Sequence, residues 1–291
     1  MTTTGKVWFV GAGPGAADLL TLRAARVIGT ADVVIWAASL VHADVLAHAR
    51  PGAELVDSSQ LPIEGVLPLY QRAAAEGLTV ARIHSGDPAL WGAVQEQLDL
   101  CAALGLAVEI VPGVSSFTAV AALVGRELTI PEVAQSVILT RLEGGKTPMP
   151  AGERVREFAR HGTTMALFLS AARSGQAQAE LLAGGYPPET PVVVAYQATW
   201  PDELVVRCTL AELEATVKAH KLWKHTLFLV GPALAATGTR SHLYHPGHFH
   251  AFRRAEPAAR AALRRARAGG AAGPAAGENL PAAGDPAGDG R

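Results

Sequence analysis

Cysteine is scarce. Of 291 residues only Cys101 and Cys208 carry a thiol, and neither stands in a C-x-x-C pair or at metal-ligand spacing. That excludes a disulfide-stapled scaffold and a cysteine-built zinc site, and it leaves two reduced, buried thiols. An excess of charge of one sign is also missing. With 25 basic and 26 acidic residues the formal net charge is −1, so the electrostatic footprint of a nucleic-acid binder is absent. No apolar run approaches the roughly 18 residues that a membrane-spanning helix needs. The opening MTTTGK lacks the charged region and apolar core of a secretory signal, and the expected location is the cytoplasm. No repeat of fixed period appears, which excludes solenoids and propellers.

What is present is apolar surface, 49% hydrophobic residues, enough for one large core or two. Short apolar runs, KVWFVG, ADVVIWA, TVARIHSG and AVEIVPG, alternate with helix-like stretches such as Asp18 to Gly29 and WGAVQEQLDLCAALG. That pattern predicts a parallel sheet covered on both faces over residues 1–112. Pro112 and Gly113 interrupt the last strand and a helical FTAVAALVG follows. The hydroxyl of Ser115 or Ser116 is expected to cap it. Longer strands follow, SVILTRLEG, TTMALFLSA, TPVVVAYQAT, ELVVRCTL and HTLFLVGPAL, and predict a second α/β domain with a mixed sheet over 113–252. From 253 to 291 the chain is Ala, Gly, Pro and Arg with few large apolar residues. A disordered tail is expected, helical at most over Glu256 to Ala268.

The stretch GAGPGAADLLTL, Gly11 to Leu22, sits between a strand and a helix. Gly11, Gly13 and Ala16 satisfy the spacing of a dinucleotide fingerprint. Two features oppose a nicotinamide site. Pro14 has no N–H where a pyrophosphate-binding turn presents one. The second strand ends in Trp36, Ala37, Ala38 and Ser39, with no carboxylate for a ribose hydroxyl. HSGDPALWG, His84 to Gly92, is a second sharp turn at a strand end, where Gly86 permits unusual torsions and Pro88 holds Asp87 extended. Its plain reading is a loop in which Asp87 satisfies local amides. With VPGVSS it makes three Gly/Pro turns after strands of one sheet, and their convergence predicts a cleft.

The series VWFVGAGPGAADLLTLRAARVI, ADVVIWAASLV, HSGDPALWGAVQEQ, VEIVPGVSSF, ELTIPEVAQSVILTRLEG and TPVVVAYQATWPDE, in this order, resembles the tetrapyrrole methyltransferases of cobalamin synthesis from about Lys6 to Phe252. GAGPG and SGDP are general to that superfamily. LTIPEVAQSVILTRLEG and QATWPDE resemble its branch that methylates carbon 11 of precorrin-4. The resemblance implies two α/β domains with S-adenosylmethionine (SAM) folded between them, released as S-adenosylhomocysteine. Its cofactor contacts, carried onto this sequence, are Pro14, Ser85, Gly86, Asp87, Leu90, Ser115, Ser116, Leu169 and Ala198. Ser85 stands where many relatives have Thr or Gly, and Ser116 where Ala or a branched residue is common. The glycine loop, with Gly13 and Gly15, would line the trough for the macrocycle. A homodimer is implied as well.

Methyl transfer from a sulfonium needs no protein nucleophile, because an electron-rich ring carbon attacks; alignment and water exclusion carry the catalysis. A precorrin bears many carboxylates, for which Arg82, Arg141 and Lys146 are the candidates. Asp87, His84 or Glu143 is available as a general base, as are water and the substrate's own carboxylates. SHLYHPGHFH places His242, His245, His248 and His250 close together. No regular helix or C-x-x-C frame organises them, and no metal site is assigned. An oxidoreductase, a non-catalytic tetrapyrrole carrier, and relatives acting on ribosomal RNA or a modified protein histidine are the competing classes. Whether the substrate is metal-free or carries cobalt stays open.

Overall fold

The computed structural model describes residues 5–144, 148–150, 152–238 and 241–268. The chain divides into two compact units, Met1–Gly238 and Thr239–Arg291, so the first unit closes before the boundary expected at 252. It holds two five-stranded sheets.

The first sheet arises from β1 (Lys6–Gly11), α1 (Leu22–Thr30), β2 (Val33–Trp36), β3 (Glu54–Asp57), α2 (Ile63–Glu76), β4 (Thr79–His84), α3 (Val94–Ala103) and β5 (Ala107–Val111). All its strands are parallel, in the order β3-β2-β4-β1-β5. One face packs Val10, Val34, Ala81 and Ile83 against α1; the other packs Val7, Phe9, Val33 and Val80 against α2 and α3. This double burial is why the strands read as continuous apolar runs. Two elements escaped the sequence pattern. Strand β3, ELVD, is a mostly exposed edge, and α2 carries Pro68 in its interior. Proline there removes one helix hydrogen bond, but the buried stripe Val66, Tyr70 and Ala73 holds the helix on the sheet. The stretch VHADVLAHA forms a 3-10 turn over Ala43–His48, not an α-helix.

After β5 come α4 (Ser116–Leu123), β6 (Val137–Arg141), α5 (Val155–Ala159), β7 (Thr164–Phe168), α6 (Ser174–Ala183), β8 (Pro191–Tyr196), β9 (Leu204–Thr209), α7 (Leu213–His220) and β10 (Thr226–Val230). Their sheet runs β6-β7-β10-β8-β9 and is mixed as expected: β6 and β7 are parallel, the other pairings antiparallel. One face carries α5 to α7 around Phe228, Leu181 and Leu213. On the other, Val120 and Ala121 of α4 and Val124 at its C-cap pack with Ala166, Val193 and Leu229. The chain thus passes to the second sheet at Pro112-Gly113. Ser115 occupies the N-cap of α4 but its hydroxyl caps nothing, so the expected hydroxyl cap is replaced by a main-chain start. Both thiols are free, and burial pushes Cys101 up to about 11.

The second unit holds a 3-10 turn at His242–Tyr244 and α8 (Pro257–Ala268); residues 269–291 of the expected tail lie outside the described residues. The imidazoles of His245 and His250 accept from the Gly247 and Phe252 amides, at 3.0 and 3.2 Å. Among the described residues no group of three His, Cys, Asp or Glu is placed to hold a metal ion. No helix among them is long and apolar enough to cross a membrane.

Phe228 lies fully buried at the centre of the second sheet. Phe228→Ala is expected to cost about 3–5 kcal/mol, read as a lower urea midpoint.

Candidate active site

Register decides where the three Gly/Pro turns go. Strand β1 is central, with Gly11 opposite His84 of β4 and Val10 opposite Val111 of β5. Three parallel strands therefore end side by side, and their turns must meet. The Ala12 amide donates to the His84 carbonyl at 2.8 Å. Gly13 and Gly86 exchange main-chain hydrogen bonds at 3.2 and 2.7 Å, at φ +76° and +65°, a region favourable only to glycine. Asp87 closes the third side: Oδ1 accepts from the Ala89 amide at 2.8 Å and Oδ2 from the Gly113 amide at 3.3 Å. Leu90 completes its turn on the Asp87 carbonyl at 3.1 Å. The packing leaves no room for side chains. A Cβ on Gly113 would lie 2.1 Å from the Gly86 oxygen, and one on Gly11 2.6 Å from Gly113 Cα.

The second sheet presents one end to this knot. Because β10 runs antiparallel to both β7 and β8, the end of β7, the start of β10 and the end of β8 lie together. Leu169, Gln197, Thr199 and His225 on these connections all adopt positive φ, at 51°, 44°, 67° and 52°. Non-glycine residues rarely take that conformation, and clusters of them mark functional loops. Trp91 and Ala93, just beyond the SGDP turn, do the same at 52° and 48°. The Trp91 ring meets Phe168 at the end of β7, centroids 4.6 Å apart. Leu169 beside it is 71% exposed. Buried Ser170 ties the β6 and β7 ends, accepting from the Leu142 amide at 2.8 Å and donating to the Phe168 carbonyl at 2.7 Å.

The glycine loop is held from both sides. Gly13 is bound to Gly86, the Pro14 carbonyl accepts from the Trp200 indole N–H at 3.0 Å, and the Ala16 amide donates to Thr199 Oγ1 at 3.0 Å. Pro14 thus contributes an acceptor where a phosphate loop needs a donor. Gly13 and Gly15 are buried, the latter against the Trp200 ring, and the Gly13 amide is taken by the Gly86 carbonyl. Ser85 is exposed at the turn, Ser115 is buried, Ser116 opens α4, and Ala198 is buried in the β8–β9 loop.

The ionisable candidates part company. Arg82 points away from α1, donating to Ser58 Oγ at 2.6 Å and Gln97 Oε1 at 3.1 Å, with Tyr70 on the same Gln97 oxygen at 2.9 Å. Burial disfavours its charge and pushes the Tyr70 phenol above its usual range. His84 is buried against Phe9, and its Nε2 finds no hydrogen-bond partner among the described residues. Burial first, and Arg82 second, hold its pKa down to about 3. It stays neutral near pH 7 and is too weak a base to take a proton there. Glu143 faces Arg154 at 3.8 Å in an exposed loop. Arg141 ends β6 opposite Phe168 and donates to the Leu142 carbonyl at 3.3 Å. Lys146 lies outside the described residues.

Three Gly/Pro turns of one sheet bonded to one another, with Gly-Pro-Gly also held by a loop of a second sheet, form a specific arrangement. The sequence profile described as Tetrapyrrole (Corrin/Porphyrin) Methylases matches residues 6–214. The chain belongs to the tetrapyrrole methylase family. It is 45% identical over 239 residues to a precorrin-4 C(11)-methyltransferase of Mycobacterium tuberculosis, covering 82% of this chain and 95% of that one. Among solved structures, a cobalt precorrin-4 methyltransferase superposes with a TM-score of 0.77 at 42% identity, covering 79% of this chain and 96% of that one. A uroporphyrin-III C-methyltransferase from Thermus thermophilus, complexed with S-adenosylhomocysteine, gives 0.67 at 30% identity, covering 79% and 94%. The methylase fold is therefore built here from the two sheets of the first unit.

Sequence reasoning missed Trp91, Phe168, Thr199 and Trp200 as parts of this site, and Ser58 and Gln97 as partners of Arg82. QATWPDE carried a signal, since Trp beside Pro in a polar turn is costly to expose without a purpose.

Two outcomes follow from the packing and the buried imidazole. Gly113→Ala, at ordinary φ, is expected to cost about 1–3 kcal/mol by overlap alone, measured by urea unfolding. For His84 the folded pKa lies below the unfolded value near 6.5, so the unfolded state binds the extra proton. Stability is therefore complete above pH 6.5 and declines as pH falls towards 3. Unfolding free energies of wild type and His84→Gln should run parallel above pH 6.5, with the wild type falling more steeply below it; equal slopes would refute the burial argument.

Proposed function

We propose that the chain transfers a methyl group from SAM to carbon 11 of precorrin-4, or of its cobalt complex, giving the precorrin-5 stage of cobalamin synthesis. The observation that carries this reading is the meeting of turns 11–15, 85–90 and 113–116 with the strained loops at 168–170 and 197–200. Membership of the family and the similarity to carbon-11 enzymes support the position and the substrate.

The site fits SAM. A glycine-walled crevice allows a ligand to approach main-chain amides and carbonyls, and no phosphate cradle is needed. Ser85, Gly86, Asp87, Leu90, Ser115, Ser116, Leu169 and Ala198 are the residues that would hold it, with Pro14 behind them in the wall. Bound SAM supplies an electrophilic methyl on a sulfonium, which leaves as the neutral thioether S-adenosylhomocysteine once a nucleophilic ring carbon has taken the methyl. The chain's own task is alignment and exclusion of water, effects worth up to about 7–11 kcal/mol in ideal geometry. Exposed Leu169 and the Trp91–Phe168 pair offer apolar surface for that purpose. The chain supplies no general base in this reading. His84 is neutral and weakly basic, Asp87 ties two amides, and Glu143 is paired at the surface.

Substrate carboxylates need cations. Arg82 is a mostly buried guanidinium whose hydrogen-bond partners, Ser58 and Gln97, are neutral. It lies within β4 on the α2–α3 side, and its guanidinium reaches Ser58 just beyond the carboxyl end of β3, near the strand ends where ligands gather in open parallel sheets. Arg141 at the end of β6 is the second carboxylate partner, and Lys146 the third. The family resemblance also supports a homodimer and a cytoplasmic location.

Mass spectrometry of products from SAM with metal-free and with cobalt-containing precorrin-4, and NMR assignment of the new methyl, test the assignment. A methyl at carbon 11 is expected, and a methyl at another carbon overturns it. Arg82→Lys is expected to raise KM for the tetrapyrrole about tenfold with affinity for S-adenosylhomocysteine unchanged; an unaltered KM removes Arg82 from substrate recognition.

A further inference from the structure

The loop between β8 and β9 does more than close a hairpin. It is braced internally: the Gln197 amide donates to the His225 carbonyl at 2.9 Å, the Trp200 amide to the Gln197 carbonyl at 2.9 Å, and the Thr199 amide to Glu203 Oε2 at 2.5 Å. Within that brace Gln197 and Thr199 sit at positive φ. For β-branched Thr199 this is a strained conformation, held only because its surroundings over-determine it. The strain aims two groups outward at the glycine loop. Thr199 Oγ1 receives the Ala16 amide and the Trp200 indole donates to the Pro14 carbonyl, each at 3.0 Å. The Cδ1–Nε1 edge of the Trp200 ring comes so close to Gly15 that a Cβ there would overlap it.

Two further contacts anchor the brace to the first half. The His42 ring meets Trp200 edge-on at 5.1 Å, and His225 hydrogen-bonds the Ser39 main chain. The opposite side of the glycine loop is bound to Gly86. Residues 13–16 are therefore held between the SGDP turn and a loop of the other sheet, through hydrogen bonds to Gly86 on one side and to Thr199 and Trp200 on the other.

We propose that Thr199 and Trp200 are positioning residues that set the glycine loop against the reacting ring carbon, so that the β8–β9 loop of the second sheet determines the position methylated by the first. This rests on the methyltransferase reading above. Neither residue touches the reacting atoms; each acts through Pro14, Gly15 and Ala16. Thr199→Val removes the acceptor and keeps the shape, Trp200→Phe removes the indole donor and keeps a ring, and Thr199→Ser restores the hydroxyl.

The test uses the full chain. Amide exchange over residues 11–20, without any ligand, reads the latch alone; wild-type product formation from precorrin-4 reads the functional assignment alone. Thr199→Val and Trp200→Phe are each expected to speed exchange in that segment about tenfold and to lower kcat at saturating SAM and tetrapyrrole about tenfold or more. Melting temperature should fall by no more than a few degrees, a second methylation position should appear, and Thr199→Ser should match wild type. Unchanged exchange, unchanged kcat and product position, or exchange that rises across the whole chain with a larger fall in melting temperature would each overturn the proposal.

Discussion

Gly11, Gly86 and Gly113 touch backbone to backbone, and the approach is so close that any side chain on Gly113 would enter the Gly86 carbonyl. This contact depends on strand order. Only because β4, β1 and β5 are neighbours, parallel and in register do their three turns leave the sheet at one point. The turns then bond one another, Gly13 with Gly86 and Asp87 with the Gly113 amide. A wall built of main chain has no bulky side chains to exclude a ligand, and this is what the proposed placement of SAM beside the macrocycle relies on.

The second sheet completes the crevice by a different means. Its helices and core do ordinary packing, whereas the connections at one sheet end store unusual torsions. Leu169, Gln197, Thr199 and His225 each occupy the left-handed region, at roughly 1–3 kcal/mol apiece. Nothing in hairpin geometry alone requires that cost. On the β8–β9 connection a hydroxyl and an indole bind the glycine loop of the first half. In the proposed reading, rigidity of the first half and strain of the second act together in alignment, which suits a reaction whose catalysis is mainly geometric.

Much of this was legible in the chain itself. Strands buried on both faces announce themselves as apolar runs, and Gly and Pro mark where they stop. GAGPG, SGDP and VPG therefore marked three turns that the structure brings together. What stayed hidden depends on tertiary context. Edge strand β3 has only two apolar residues flanked by Glu54 and Asp57 and is mostly exposed, so it lacks the continuous apolar run of its neighbours. Helix α2 contains a proline that only its buried stripe overrides. His84 and Arg82 look like solvent-facing chemistry in sequence, but their strand turns them into the α2–α3 layer, where burial changes their charge behaviour. Positive φ at Thr199 leaves no mark in composition, so the link from QATWPDE to the glycine loop required coordinates.

The central claim is that both halves grip one methyl donor in the crevice they form. The most direct measurement is a crystal structure of the full chain with S-adenosylhomocysteine. The account predicts the ligand against residues 85–90 and 115–116 on one side and against 169 and 198 on the other. A ligand held by one sheet only, or bound away from the glycine knot, would contradict it.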